Sequence, residues 1–224
     1  MKLYALIVAG GSGRRMGTDI PKQFLEIAGK PILMHTIERF YDFDKSIEII
    51  TVLPEDQLLR WNGLKEKYSF TIRHAIVRGG ETRFFSVKNG LEFVDPSGLV
   101  AIHDGVRPLV SCDTIKRCYE SAEKYGNCIP VISPSDSLRV ITQEGNRPVD
   151  RMQFKQVQTP QVFKTELIKK AYLQEYQPEF TDDATVLERI GEKINLVEGN
   201  RENIKITNPQ DLIIARALFS ILPC

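Results

Sequence analysis

Two adjoining stretches near the start of the chain decide the fold: the apolar run Leu3-Tyr4-Ala5-Leu6-Ile7-Val8 and the glycine-rich segment Ala9-Gly10-Gly11-Ser12-Gly13-Arg14-Arg15-Met16-Gly17. The apolar run has no alternating polar face, which is typical of a central strand that is buried on both sides. Strand-like and helix-like segments then alternate along the chain, as they do in βαβ units. The sequence therefore predicts an α/β fold with a Rossmann-like, mainly parallel sheet and helices on both faces.

The other predicted elements follow from apolar runs, helical periodicity and capping residues. Strands are expected at residues 3–8, 47–53, 71–77, 99–102, 127–132 and 194–197. Helices are expected from Pro31, around residues 58–64, over 84–94, and after Ser111, Thr165 and Thr181. A final helix is expected after Asn208, which can cap it, with Pro209 at its first position.

Residues 133–158 interrupt this alternation. Residues 138–142 are typical of a strand and Glu144-Gly145-Asn146 of a turn, which together predict a β-hairpin. Because an isolated hairpin is only marginally stable in water, it is expected to pack against something else, and a second subunit is the obvious candidate. We therefore expect one domain over residues 1–224, with about 133–158 forming a projecting hairpin arm that joins a homodimer.

The composition excludes several classes of partner. The chain has 224 residues, with 30 basic and 29 acidic side chains and a formal net charge of +1, so nothing attracts the whole protein to nucleic acid or membranes. The first apolar run is too short for a signal peptide or a membrane span. The four cysteines form no C-x-x-C pair and no metal-ligand spacing. We expect reduced thiols in a cytoplasmic protein that acts on small molecules.

The glycine-rich segment directly follows a predicted strand, where bare backbone N–H groups can approach phosphate oxygens closely. Two better-known phosphate motifs nearly fit it. A dinucleotide fingerprint needs a small residue where Met16 stands, and a P-loop needs Lys followed by Ser or Thr after its last glycine. The segment therefore predicts a triphosphate site of another type, with a glycine-rich surface turn as the alternative.

Two cations strengthen the first interpretation. Arg15 lies inside the segment and Lys22 follows it, whereas Arg14 is equally consistent with a solvated or structural role. They predict a displacement at the α-phosphorus of a nucleoside triphosphate. A phosphate-monoester acceptor has a second pKa of about 6 and is mostly ionised at neutral pH, so no general base is required. Arg15, Lys22 and Mg²⁺ would neutralise the charge that grows on the attacked phosphorus.

Further motifs occur in a fixed order along nearly the whole chain. They are Pro21-Lys22-Gln23, Gly79-Gly80-Glu81-Thr82-Arg83, Ser86-Val87, His103-Asp104-Gly105-Val106-Arg107-Pro108, Thr159-Pro160-Gln161, Thr181-Asp182-Asp183 and Asn203-Ile204-Lys205-Ile206-Thr207. With the glycine-rich segment, they resemble the 2-C-methyl-D-erythritol 4-phosphate cytidylyltransferases of non-mevalonate isoprenoid synthesis. The resemblance implies a nucleotidyltransferase-type domain that transfers CMP from CTP to that acceptor, giving 4-diphosphocytidyl-2-C-methyl-D-erythritol and pyrophosphate. It also implies a divalent cation, Mg²⁺, and a dimer formed through the arm.

The resemblance implies roles for individual residues as well. Arg15 and Lys22 would stabilise the transition state, and Arg151 and Lys205 join them as candidate catalytic residues. The CTP site would contain Ala9, Gly10, Gly11, Ser12, Gly13, Arg14, Gly80, Glu81, Ser86 and Asp104. The acceptor site would contain Asp104, Arg107, Ser137, Arg151, Thr159 and Lys205. Asp104 would also lie near Mg²⁺, and Arg151 would reach the site of a neighbouring subunit.

The sequence departs from the commonest family pattern at two places. Gly105-Val106 replaces Ala-Ala after the aspartate, and Ser137 replaces a threonine. Both changes keep the expected chemistry, but ribitol 5-phosphate stays open as an alternative acceptor because its cytidylyltransferases share the fold and the loop. A nucleotide-binding protein without catalysis is disfavoured by the presence of both Arg15 and Lys22. A nicotinamide-dependent oxidoreductase is disfavoured by Met16.

Taken singly, some of these residues have structural explanations. Asp104 is also typical of a turn cap, and Arg83 of a buttress for the Gly79-Gly80 turn. Without the motifs, Lys205 and Arg151 would be ordinary surface charges. The three histidines have no partners at metal-ligand spacing and are expected to be structural: His35, His74 and His103.

Overall fold

The computed structural model describes residues 1–10 and 20–220. Five residues that the sequence predicts to bind the triphosphate lie outside those ranges: Gly11, Ser12, Gly13, Arg14 and Arg15. Within the described part, the strands are β1 (Lys2–Val8), β2 (Glu26–Ile27), β3 (Lys30–Pro31), β4 (Glu48–Leu53), β5 (Ala75–Arg78), β6 (Gly98–Asp104), β7 (Asn127–Ile132), β8 (Leu138–Thr142), β9 (Gly145–Val149), β10 (Gln156–Val157), β11 (Gln161–Lys164) and β12 (Leu196–Glu198). The helices are α1 (Ile32–Phe43), α2 (Leu58–Lys67), α3 (Arg83–Leu91), α4 (Cys112–Tyr125), α5 (Thr165–Ala171), α6 (Asp183–Glu188) and α7 (Pro209–Phe219).

Eight of the strands form the central sheet in the order β10-β7-β11-β6-β1-β4-β5, with β12 also paired to β7. The four strands β6, β1, β4 and β5 run parallel to one another. Strand β11 lies antiparallel between β6 and β7, which are therefore parallel to each other. The mainly parallel sheet that the sequence predicts is thus confirmed.

Strand β1 lies in the middle of the sheet and is buried on both faces. Ala5 and Ile7 point into one core together with Leu33 of α1 and Cys118 of α4. Tyr4 and Leu6 point into the other, with side chains from α3, α5 and α6. Because alternate residues of a strand face opposite sides, this arrangement requires apolar residues at every position, which explains the uninterrupted run that opens the chain.

Two strands begin two or more residues later than the sequence predicts. Strand β5 begins at Ala75 rather than at residue 71, because its register with β4 begins at Ile50 opposite Ala75. Residues before it are held by side chains instead, since the Trp61 Nε1 donates to His74 Nε2 at 3.1 Å. The predicted 194–197 strand is β12 and begins two residues later, at the edge of the sheet.

Strand β11 is absent from the sequence-based assignment. It has only four residues, Gln161–Lys164, of which the first three are buried. It pairs with β6 and β7 across long chain separations, so nothing local in the sequence marks it as a strand. Its insertion brings Thr159, just before it, to the end of β6.

Strands β8 and β9 pair antiparallel, from Leu138 opposite Val149 to Thr142 opposite Gly145. Both strands are largely exposed. After a short turn at Arg151–Gln153, the chain returns to the central sheet, where β10 pairs with β7. That these residues join two subunits stays a prediction.

None of the helices in the described ranges is long and apolar enough to cross a membrane.

Candidate active site

The predicted site residues gather at the carboxyl ends of the parallel strands. Asp104 ends β6, directly opposite Val8 at the end of β1. The Gly79 N–H donates to the Leu53 carbonyl at the end of β4, which draws the turn after β5 to the same edge. A crevice outside the carboxyl ends of strands is where open α/β sheets bind ligands.

The first cavity at this edge has a volume of about 270 Å³. It lies between the start of the glycine-rich segment, the segment after Pro21 and the N-terminus of α3. Its lining residues are Val8, Ala9, Gly10, Lys22, Gln23, Gly80, Glu81, Thr82, Arg83, Ser86, Asp104, Val106 and Lys205.

A second cavity of about 180 Å³ lies beside it, toward β11 and α6. Its lining residues are Arg83, Asp104, Arg107, Val157, Gln158, Thr159, Gln161, Thr181, Asp182 and Lys205. Three residues, Arg83, Asp104 and Lys205, line both cavities, and we call them the junction. Two ligands bound in the two cavities would therefore meet at these three charged side chains.

Asp104 is the acidic residue of the junction, and cations surround it. Its Oδ2 lies 3.0 Å from the Lys205 Nζ and accepts from the Arg107 Nε at 3.1 Å. Its Oδ1 lies 3.9 Å from the Arg83 Nε. Burial alone would raise the pKa of Asp104, but Lys205, Arg83 and Arg107 outweigh it and hold the pKa well below its usual range. The carboxylate is therefore ionised at neutral pH.

Arg83 is fixed in the junction by a buried partner. Its two terminal nitrogens bind the two oxygens of Asp183 at 2.9 and 2.6 Å, in the bidentate geometry that arginine favours. Asp183 is fully buried and also accepts from the Tyr172 hydroxyl at 2.6 Å. Burial would lower the pKa of Arg83, but the Asp183 carboxylate more than offsets this and raises it. A permanent positive charge thus stands between the two cavities.

The turn before α3 forms one wall of the first cavity. Thr82 caps the helix by accepting from the Phe85 N–H, and Gly80 donates its N–H to the Ser86 hydroxyl at 3.1 Å. A Cβ on Gly80 would collide with the Cβ of Phe85. Only glycine fits there, so the turn presents backbone rather than side chain to the cavity.

The opposite wall of the first cavity carries Lys22. This residue begins a short 3₁₀ turn, Lys22–Phe24, whose Gln23 is completely buried. The Gln23 amide nitrogen donates to the Ala9 carbonyl at 2.9 Å, which fixes the turn against the start of the glycine-rich segment. Lys22 thereby lines the first cavity together with Gly10.

The second cavity is closed by the segment that carries Lys205. The Arg107 Nη1 donates to the Asn203 carbonyl at 2.8 Å, and the Ile206 N–H donates to the Val106 carbonyl at 3.0 Å. The Asn203 side chain donates to the Thr159 carbonyl at 2.8 Å. These bonds hold Lys205 over Asp104 although the two residues lie far apart in the sequence.

The structure brings together most of the predicted site residues that it describes. Those lining the first cavity are Ala9, Gly10, Lys22, Gly80, Glu81, Ser86, Asp104 and Lys205; Arg107 and Thr159 line the second with Asp104 and Lys205. Ser137 and Arg151 are exposed and are not among the residues that line either cavity. Arg151 instead donates to the Ser135 carbonyl.

Sequence reasoning missed the position of Arg83. The motif that contains it was recognised, but the residue was assigned to the turn, whereas it lines both cavities. Gln161, Thr181 and Asp182 likewise belong to recognised motifs and prove to line the second cavity. The signal for all four was their occurrence in motifs that begin a helix or a strand.

Comparisons with known proteins agree over nearly the full length. Residues 3–220 match the family model described as 2-C-methyl-D-erythritol 4-phosphate cytidylyltransferase. The curated protein of that name from Bacteroides thetaiotaomicron is 54% identical over 98% of this chain and 100% of its own. The one from Phocaeicola vulgatus is 56% identical over the same shares, 98% and 100%.

Solved structures are similar across the same length. The 4-diphosphocytidyl-2C-methyl-D-erythritol synthase of Anaerococcus prevotii matches with a TM-score of 0.82 at 30% identity, covering 98% of this chain and 96% of that one. The 2-C-methyl-D-erythritol 4-phosphate cytidylyltransferase of Thermus thermophilus matches with a TM-score of 0.78 at 33% identity, covering 97% and 98%. This chain therefore belongs to the 2-C-methyl-D-erythritol 4-phosphate cytidylyltransferase family, a family of nucleotidyltransferases.

Proposed function

We propose that this chain transfers CMP from CTP to 2-C-methyl-D-erythritol 4-phosphate, giving 4-diphosphocytidyl-2-C-methyl-D-erythritol and pyrophosphate. The observation that carries the proposal is the pair of adjoining cavities that share Arg83, Asp104 and Lys205. A reaction between two phosphorylated substrates needs two anion sites that meet, and cations where they meet. The names of the similar proteins give the acceptor, 2-C-methyl-D-erythritol 4-phosphate, and the transferred group, cytidylyl.

In the proposed reaction, CTP binds in the first cavity. Its base and ribose lie against the turn formed by Gly80, Glu81 and Ser86. Its phosphates lie toward Lys22 and Gly10, and the proposed phosphate contacts continue into Gly11, Ser12, Gly13, Arg14 and Arg15, outside the described residues. The acceptor binds in the second cavity, with its phosphate toward Lys205 and Arg107 and its hydroxyls toward Asp104 and Thr159.

The chemistry is a direct displacement. An oxygen of the acceptor phosphate forms a bond to the α-phosphorus of CTP, and the bond from that phosphorus to the β-phosphate oxygen breaks, so pyrophosphate leaves with the bonding electrons. The acceptor phosphate is already mostly ionised at pH 7, so the protein need not remove a proton. Lys22 and Arg15 stabilise the charge that develops at the attacked phosphorus, and Lys205 holds the attacking phosphate.

A divalent cation fits this site through Asp104 and substrate oxygens. In the described ranges, no group of three or more His, Cys, Asp or Glu side chains could hold a metal by itself. Mg²⁺ commonly uses one or two carboxylates together with substrate phosphates and water. The Asp104 Oδ1, which lies 3.9 Å from the Arg83 Nε, offers one such ligand. When bound, Mg²⁺ would neutralise triphosphate charge.

We further propose a cytoplasmic homodimer in which residues 133–158 of one subunit pack on the other. Several large apolar side chains of this segment are exposed, including Ile141, Met152 and Phe154. Burial of such side chains against a second copy would be favourable. Ser137 and Arg151 would then complete the partner's acceptor site. Sedimentation at micromolar concentration is expected to give a dimer; a fully active monomer would contradict this assembly.

A pyrophosphate-release assay tests the proposed reaction. With CTP, Mg²⁺ and 2-C-methyl-D-erythritol 4-phosphate, we expect pyrophosphate and an equal amount of the cytidine diphospho product. ATP in place of CTP and ribitol 5-phosphate in place of the acceptor are the matched controls. Faster release with ribitol 5-phosphate would replace the proposed acceptor, and tight NADH binding without CTP binding would overturn the reaction class.

The Gly80 turn supplies a further prediction for CTP binding. In Gly80→Ala the new Cβ would collide with Phe85, so the turn must move and the CTP cavity must change shape. We expect the KM for CTP to rise about tenfold, as for the loss of one or two hydrogen bonds. The matched control is Gly63→Ala in α2, where a Cβ meets nothing within 4 Å and helix propensity favours alanine. An unchanged KM for CTP in Gly80→Ala would exclude this turn from the CTP site.

A further inference from the structure

His103 lies between two chain segments that line the second cavity, the turn after β6 and the chain just before β11. It precedes Asp104 on β6 and is completely buried. Its ring packs against Phe40 in an edge-to-face arrangement, with the ring centroids 5.0 Å apart. The proposed reaction gives His103 no role, and it does not line either cavity.

Both ring nitrogens of His103 are engaged. The Nε2 lies 3.1 Å from the Arg107 carbonyl oxygen, and the Nδ1 lies 3.0 Å from the Thr159 hydroxyl. The carbonyl can only accept, so the Nε2 carries a proton and donates it. A completely buried imidazole is more stable neutral than charged, so with the Nε2 protonated the Nδ1 is the acceptor.

The single proton of the Thr159 hydroxyl is then already used. The hydroxyl donates this proton to the His103 Nδ1, and its oxygen accepts the Asp104 N–H at 3.1 Å. Three bonds therefore run in one direction, from the Asp104 N–H through Thr159 and His103 to the Arg107 carbonyl. They connect the end of β6 and the turn after it to the chain just before β11.

We propose that His103 is a positioning residue for the acceptor site, and that the Thr159 hydroxyl acts through His103 rather than by donating to the acceptor. The pair fixes the backbone of Asp104 and Arg107, whose side chains line the second cavity. The inference rests on the proposed reaction, because it assigns the second cavity to the acceptor. It adds His103, which touches no substrate, to the residues on which the acceptor site depends. It also limits the Thr159 hydroxyl, which lines the second cavity, to holding His103 and the Asp104 backbone.

Two variants remove hydrogen bonds from the series that connects Asp104, Thr159, His103 and Arg107, and change no other side chain. Thr159→Val removes the hydroxyl and keeps the shape of the side chain, and His103→Leu removes both ring bonds. In each we expect kcat/KM for the acceptor to fall roughly tenfold, as for the loss of one hydrogen bond, with the KM for CTP changed less than about twofold. Since both changes interrupt the same connection, the double variant should lose little more than either single one.

A conservative variant provides the rescue. In His103→Asn the side-chain oxygen stands near the position of the Nδ1 and can accept from Thr159. It should recover part of the activity lost in His103→Leu, and that recovery should disappear when Thr159→Val is added. The matched control is His35→Leu, which changes another buried histidine, one that bonds the Ile27 carbonyl outside both cavities. It should leave both KM values near those of the unmodified enzyme even where it lowers stability.

Two results would overturn the inference, and a third would overturn the proposed function instead. Effects of His103→Leu and Thr159→Val that multiply to about a hundredfold would mean that Thr159 acts on the acceptor independently, and would overturn the inference. Equal increases of the KM for CTP and for the acceptor would also overturn it, because they indicate general loss of structure. If the unmodified enzyme does not turn over the acceptor, the proposed function fails instead, and this is known before any variant is made.

Discussion

Lys22→Ala is expected to lower kcat by on the order of 10² to 10³, the usual effect of removing one charge that stabilises a transition state. Lys22 lines the first cavity beside Gly10, where the triphosphate would lie. The displacement increases negative charge around the α-phosphorus, and a fixed ammonium there costs no reorganisation during the reaction. Single-turnover product formation at saturating CTP measures this step without a contribution from product release.

The control for this variant is Lys116→Ala. Lys116 is an exposed lysine on α4 that contacts Glu120, remote from both cavities. It has the same charge, so its removal tests whether net charge alone slows the enzyme. A loss of less than about threefold in Lys22→Ala would remove Lys22 from the catalytic groups and leave Arg15, Arg151 and Lys205 as candidates.

Asp183→Asn is expected to lower the free energy of unfolding by about 3 kcal/mol, since the largely buried Arg83 guanidinium loses its bidentate partner and keeps Asp104 at 3.9 Å. Asp183 is fully buried and binds Arg83 through both oxygens. The variant should also lose activity, because Arg83 stands in the junction and has no second partner of equal geometry there. Urea denaturation with and without CTP measures the stability change.

An exposed pair provides the comparison. Asp42 binds Lys45 at 2.7 Å on the surface, and Asp42→Asn should change the free energy of unfolding by less than about 1 kcal/mol. If Asp183→Asn lowers the free energy of unfolding no more than Asp42→Asn does, then the buried pair of Arg83 and Asp183 does not hold the junction together. In that case the position of Arg83 must depend on contacts other than Asp183.

Elements set by local patterns could be predicted from the sequence. The run Leu3 to Val8 identified the central strand because burial on both faces requires apolar residues throughout. The start of the last helix was placed to the residue because its signals are local: Asn208 caps it and forms a capping box with Asp211, with Pro209 in the first turn. Such features need no knowledge of distant parts of the chain.

Elements set by distant contacts could not be predicted in this way. Strand β11 is defined by its neighbours β6 and β7 rather than by its own four residues. The role of Arg83 has the same cause, because its partner Asp183 is 100 residues away. Sequence motifs marked both residues as notable, but only the folded chain shows that they form one ion pair in the wall of the site.

The same distinction between local patterns and distant contacts applies to the candidate site. The glycine-rich segment and Lys22 could be connected to phosphate chemistry because their types and order carry that meaning. The connection from Asp104 through Thr159 to His103 could not, since it depends on hydrogen bonds across 55 and 56 positions of the chain. A histidine beside an aspartate is uninformative until the partner of each ring nitrogen is known.

In the proposed reaction, the two cavities bring two phosphates together at Arg83, Asp104 and Lys205. A crystal structure with a non-reacting CTP analogue and 2-C-methyl-D-erythritol 4-phosphate tests this arrangement. We expect the nucleotide in the first cavity, the acceptor in the second, and an acceptor phosphate oxygen about 3 to 3.5 Å from the α-phosphorus, as in-line attack requires. Binding of the acceptor outside the second cavity, or a nucleotide whose α-phosphate lies away from the junction, would contradict the account.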